Sequence, residues 1–240
     1  MVNYIPYLVY DFETDSPFPQ SCHPIQLAAL VINPRTLEYV KDNLGKPVYF
    51  NSMIRIPDKE LDEIQADPKR KAQFEKALSI NKKTIEEIQE GPEEKQVWAN
   101  FVAFTQRYAR KPKSAWDSVI PVGYNSDNFD RVIIERLAQK YGTTDTEDQQ
   151  YVFHKMYSVD VIKLIFMWHE SNTELTRYKL DAVREHMGLE GDSKENAHDA
   201  LQDVYDTARI FRRIQKRFRS ISEKVSFRDS FRVRPLEEDE

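Results

Sequence analysis

A single cysteine, Cys22, is all that the 240 residues contain. An intramolecular disulfide framework and any CxxC zinc or redox site are therefore excluded, as expected of a chain in a reducing, cytoplasmic compartment. No basic stretch followed by an apolar one opens the sequence, and nowhere do about 18 apolar residues run together. Neither secretion nor membrane spanning is expected. Positive charge is not in excess either: 35 Lys and Arg stand against 40 Asp and Glu, a formal net charge of -5. Any surface for nucleic acid must then be local. A GxxxxGK phosphate loop, a GxSxG elbow and an HExxH helix are all missing, and His169-Glu170 lacks the second histidine. ATPase, serine hydrolase and zinc-peptidase chemistries drop out.

What is present, 40% hydrophobic and 12% aromatic residues, suffices for one sizeable core. Tyr7 to Phe12 is aromatic and β-branched and ends in a polar turn, the pattern of a buried central strand. Ile25 to Ile32 and Val48 to Ile56 are similar and are separated by turn signals, which predicts an antiparallel meander of three strands. Asp58 to Ala77 is charged with scattered apolar residues; Glu94 to Arg110 places Val97, Phe101, Phe104 and Tyr108 at helical spacing. Ile120 to Tyr124 reads as a short strand and Phe129 to Tyr141 as the helix after it. Val159 to Trp168, Lys179 to Met187 and Ala200 to Phe218 each carry helical periodicity. Strands first, then strand and helices, predict an α/β domain over residues 1–222 with a mixed sheet flanked by helices, and 223–240 as a charged tail with little packing.

Three stretches carry chemistry. Asp11 and Glu13 lie two apart on the first strand, so their carboxylates share a face. Two such groups repel unless a hard cation such as Mg²⁺ or Mn²⁺ joins them. The same spacing recurs at Asp58/Glu60 and Asp145/Glu147, so spacing alone leaves a solvated strand end open. In Asn125-Ser126-Asp127-Asn128-Phe129-Asp130 a strand gives way to a helix, with Asp130 in the first turn. Its carboxylate could reach a site beside the sheet, or favour the positive helix end while Asp127 or Asn128 caps it. His198 and Asp203 are five apart, which in one regular helix would split their faces, so His198 is expected at or before a helix start capped by Asn196.

Asp11-Phe12-Glu13-Thr14, Gly123-Tyr124-Asn125 through Phe129-Asp130, and Asn196-Ala197-His198-Asp199-Ala200-Leu201-Gln202-Asp203 resemble, in order, the three exonuclease motifs of the DEDD superfamily. The histidine marks its DEDDh branch; the sister branch has tyrosine where this chain has Asp199. Ile80-Asn81-Lys82-Lys83-Thr84 and Tyr178-Lys179-Leu180-Asp181 resemble further segments of that family, with Lys82-Lys83 standing where relatives often carry glycine. The wording is nearest to the exonuclease I and proofreading groups, over about Leu8 to Phe218.

The resemblance implies an RNase H-like fold and a 3′→5′ exonuclease that releases nucleoside 5′-monophosphates. Asp11, Glu13, Asp130 and Asp203 would hold two Mg²⁺ or Mn²⁺, and His198 would take a proton from water. Thr14, Ile80, Asn125 and Phe129 would place the terminal nucleotide. The implied partner is single-stranded nucleic acid, DNA ahead of RNA, with a polymerase or another replication or repair protein as a further partner and no membrane. Arg177, Tyr178, Lys179, Lys82, Lys83 and the basic helix end at Arg212, Arg213, Lys216, Arg217 and Arg219 are candidates for strand contact or plain solvated surface. Two other readings use the same residues: an exoribonuclease or short-oligonucleotide hydrolase, and an inactive nucleic-acid-binding or polymerase-associated module. A third, an acidic interaction protein, requires the motifs to coincide by chance.

Overall fold

The computed structural model describes residues 5–171, 174–189 and 199–231. The chain opens with β1 (Tyr7–Thr14), β2 (Pro24–Ile32) and β3 (Tyr49–Met53), the expected meander. A helical stretch follows, α1 (Asp58–Ala66), α2 (Pro68–Asn81), α3 (Ile85–Gln89) and α4 (Glu94–Gln106). Next come β4 (Ile120–Gly123), α5 (Asp130–Lys140), β5 (Val159–Asp160), α6 (Val161–His169) and α7 (Leu180–His186). The long α8 (Ala200–Ser222) and the short α9 (Phe227–Ser230) are the last elements among the described residues. The strands form one five-stranded mixed sheet in the order β3-β2-β1-β4-β5. β1 pairs antiparallel with β2 and parallel with β4, and β4 pairs parallel with β5.

β1 is central because both of its faces are covered. Leu8, Tyr10 and Phe12 point into one apolar cluster with Trp98 and Phe101 of α4 and Ile133 and Leu137 of α5. Val9, one residue out of phase, points into a second cluster with Val204, Ala208 and Phe211 of α8. This period-two alternation assigns Asp11 and Glu13, which follow Val9 at the same phase, to the α8 side. A third cluster, Ile56, Ile64, Phe74 and Ile88, ties α1–α3 to Ile25 at the start of β2.

Differences from the sequence reading have local causes. Asp58 to Ala77 divides into two helices because Pro68 suits a first helical turn; Asp67 accepts the N–H groups of Lys69 and Arg70 as its cap. The start of the expected helix at Val159 is instead β5, paired with Val122 and Gly123, since two residues are too few to show a strand period. Asp127 and Asn128 do not cap α5, whose start has no side-chain cap. Asp127 pairs with Lys163, and its N–H goes to Asp160. Asn196 lies outside the described residues, and the cap of α8 is Asp199.

Candidate metal centre

β1 carries its last residues, Asp11 to Thr14, beyond the end of β4, since Val9 is opposite Val122 in the final β1–β4 pair. A register shift between Glu13 and Thr14 interrupts the pairing with β2 just before its last pair, Thr14 with Pro24, the kind of irregularity that re-aims side chains at a sheet's edge. α8 packs along the same face and brings Asp203, in its first turn, over β1. One carboxylate oxygen each from Asp11, Glu13 and Asp203 lie within 4.8 Å of one another. Asp130, the first residue of α5, is buried and accepts the N–H of Phe12 at 3.1 Å. It thus meets β1 at the residue that separates the two strand carboxylates.

The electrostatics follow from this crowding. Removal from water, with repulsion from Asp130, Glu13, Asp203 and Asp199 behind it, pushes the Asp11 carboxyl well above the usual range. Burial and the charges of Asp203, Asp130 and Asp199 push Glu13 up to about 9, with Lys83 opposing. Burial raises Asp130 to about 7 even though the Phe12 N–H works against it. Burial and mutual repulsion thus disfavour ionisation of all these groups together. Hard oxygen donors, clustered and short of positive charge, fit a hard divalent cation.

The loop before α5 is built to deliver Asp130. Asn125 takes the left-handed conformation, φ 56, and its N–H donates to Asp160 Oδ1 at 2.8 Å. Asp160 Oδ2 accepts the N–H of Asp127 at 3.3 Å, so one β5 side chain anchors the turn. Sequence reasoning missed Asp160; its only signal was an acidic residue just ahead of an apolar helix, which read as part of that helix. Phe129 is half-buried against the α4/α5 cluster. Thr14 is buried; its hydroxyl donates to Ser16 O at 2.9 Å and its carbonyl accepts Asn81 Nδ2 at 3.2 Å. Asn81 therefore fixes the end of α2 beside the end of β1, and Ile80, 45% exposed, adjoins it. The structure thus assembles Asp11, Glu13 and Asp203, sets Asp130 against them, and places Thr14 and the Ile80 segment at the rim. His198 lies outside the described residues.

Of the basic candidates, Arg212 and Lys216 pair with Glu38, and Arg219 donates to the carbonyls of Pro34 and Arg35. Those cations hold α8 to the loop after β2. Tyr178 packs in the α8-side cluster, with its carbonyl accepting Tyr124 OH at 2.7 Å. Lys83 is ion-paired with Asp199 at 2.7 Å.

No family model matches this chain, and no curated protein matches it. Solved structures do. An exonuclease I structure described in terms of how processivity is achieved is 17% identical, with a TM-score of 0.65 over 92% of this chain and 43% of that one. E. coli exonuclease I in complex with a dT13 oligonucleotide is 18% identical, with a TM-score of 0.63 over 92% of this chain and 43% of that one. The zinc-ion-bound form of the E. coli exonuclease I–single-stranded DNA complex is 17% identical, with a TM-score of 0.64 over 92% and 42%. The likeness establishes the fold, an RNase H-like mixed sheet flanked by helices. This chain spans less than half the length of these proteins. Among the described residues no helix is long and apolar enough to cross a membrane.

Proposed function

We propose that this chain is a DEDDh-type exonuclease of the DEDD superfamily, removing nucleoside 5′-monophosphates from the 3′ ends of single-stranded DNA. The observation that carries the proposal is the convergence of Asp11, Glu13 and Asp203 within 4.8 Å at the end of β1, in a fold that E. coli exonuclease I displays with dT13 bound. Residues 1–222 form the exonuclease domain and 223–240 a charged tail.

Asp11, Glu13, Asp130 and Asp203 would hold two divalent cations, Mg²⁺ or Mn²⁺. Bound there, these supply positive charge to the phosphodiester transition state and make water a better nucleophile. Asp11 and Glu13 are held by pairing with β2, and Asp130 is fixed by the Phe12 N–H, so the ligand set needs little rearrangement. His198 accepts the proton of the attacking water as general base. Thr14, Ile80, Asn125 and Phe129 flank the terminal nucleotide. Water oxygen bonds to phosphorus as the bond to the 3′-oxygen breaks, leaving a 5′-monophosphate and a strand one nucleotide shorter. Chromatography of a single-stranded DNA digest tests this: nucleoside 5′-monophosphates formed with Mg²⁺ and absent with EDTA support it. A digest with none, under either metal, points to the inactive binding module.

A further inference from the structure

Asp199 stands immediately ahead of α8 and four residues ahead of Asp203. Its Oδ1 caps the helix, accepting the N–H groups of Leu201 at 3.1 Å and Gln202 at 3.4 Å. Its Oδ2 accepts Lys83 Nζ at 2.7 Å and Gln26 Nε2 at 3.1 Å. Gln26, buried on β2, also donates to Asn51 Oδ1 at 3.0 Å, and its Oε1 accepts the N–H of Ala200 at 3.3 Å. The start of α8 is therefore tied at once to β2, to β3 and to the turn after α2.

The lysine end of this tie is itself fixed. Lys82 closes α2 in the left-handed conformation, φ 52, which a glycine adopts at less cost. The N–H of Lys83 bonds Leu78 O at 3.2 Å, and Thr84 opens α3 with a reciprocal cap to Glu87. Turn and cap together aim the Lys83 side chain, only 15% exposed, at Asp199. Burial works to raise the Asp199 carboxyl, but the Lys83 and Gln26 hydrogen bonds outweigh it and hold the group below the usual carboxylate range.

We propose that Lys83 and Gln26 are positioning residues: through Asp199 they fix the first turn of α8, and with it the place of Asp203 opposite Asp11 and Glu13. The inference rests on the reading of those three carboxylates as a metal centre. It also assigns a sign. Lys83 also lies near Glu13. Acting only as a nearby positive charge, it would repel a bound cation, and its removal would tighten metal binding. Acting as a positioning residue, its removal loosens Asp203 and weakens metal binding.

The test is Mn²⁺ binding by electron paramagnetic resonance, without nucleic acid, on wild type, Lys83→Met, Lys83→Arg and Lys83→Met/Asp199→Asn. Partners that orient metal ligands are worth about 10- to 100-fold in affinity or activity. Lys83→Met should weaken Mn²⁺ by roughly tenfold or more and lower kcat while the oligonucleotide KM holds, and Lys83→Arg should recover most of both. Lys83→Met binding Mn²⁺ as tightly as wild type, or more tightly, overturns the inference. If Lys83→Met unfolds because the half-buried Asp199 loses its ion pair, the double variant carries the test. The asparagine that Asp199→Asn introduces still caps α8, so weakened Mn²⁺ binding supports the inference and wild-type binding overturns it. A wild type that binds Mn²⁺ yet cleaves nothing defeats the exonuclease reading, while the same titrations still judge Lys83.

Discussion

Asp130 reaches across from α5 to take the N–H of Phe12 at 3.1 Å, and Phe12 is the residue that separates Asp11 from Glu13 on β1. This hydrogen bond fixes the spacing between the helix carboxylate and the strand pair. Asn has the same shape and can still accept that N–H, so Asp130→Asn separates geometry from charge. The melting temperature should stay within a few degrees of wild type while turnover falls on the order of 10²-fold or more, the scale of losing one electrostatic group at a reaction centre. Calorimetry and steady-state kinetics on the same preparation check both.

Stability of the metal-free protein should depend on pH in an unusual direction. Glu13 is raised from 4.5 to about 9 and Asp130 from 3.8 to about 7, largely by burial. The folded state thus binds protons that the unfolded state releases near pH 4. That contribution is fully present below about pH 4 and is lost as pH rises through 7 and then 9. In EDTA the melting temperature should fall across this window. With Mg²⁺ or Mn²⁺ in excess the fall should shrink, because the cation takes over the role of the protons. Equal slopes with and without metal would argue against a cation among these carboxylates.

Gly123 ends β4 where a Cβ would overlap Ser126 Cβ and Oγ in the turn that leads to Asp130. Gly123→Ala should therefore move that turn, costing about 1–3 kcal/mol in stability and lowering turnover more than a surface change would. Urea unfolding read beside activity checks it. A stable variant with full activity would show that the turn does not set Asp130.

His198→Ala should slow turnover by roughly 10² to 10⁴, the usual scale of a general base, while leaving Mn²⁺ binding intact. Loss of Mn²⁺ instead would make the imidazole a ligand.

The sequence was most legible where periodicity is strong. The meander, the α4 and α5 stripes and the α8 helix follow from apolar spacing, and Asp11/Glu13 sharing a face follows from strand alternation alone. What joins Asp203 to them is α8 lying on the Val9 side of β1, a packing decision that no local spacing encodes. Asp203 and Asp206 look alike in sequence, three apart on one helix. In the fold Asp206 is buried against Arg184 at 2.7 Å, whereas Asp203 meets two carboxylates. β5 was hidden because two residues show no period, and Asp160 with it. The Lys83–Asp199 pair spans 116 positions, and only the assembled sheet and helices bring its members together.

The most direct measurement is digestion of matched, 5′-labelled single-stranded DNA, single-stranded RNA and duplex DNA with Mg²⁺, Mn²⁺ or EDTA, by wild type and Asp203→Ala. Single-stranded DNA shortened stepwise from its 3′ end, with either metal and by wild type alone, is the predicted result. Undiminished cleavage by Asp203→Ala, or cleavage that persists in EDTA, would contradict the account.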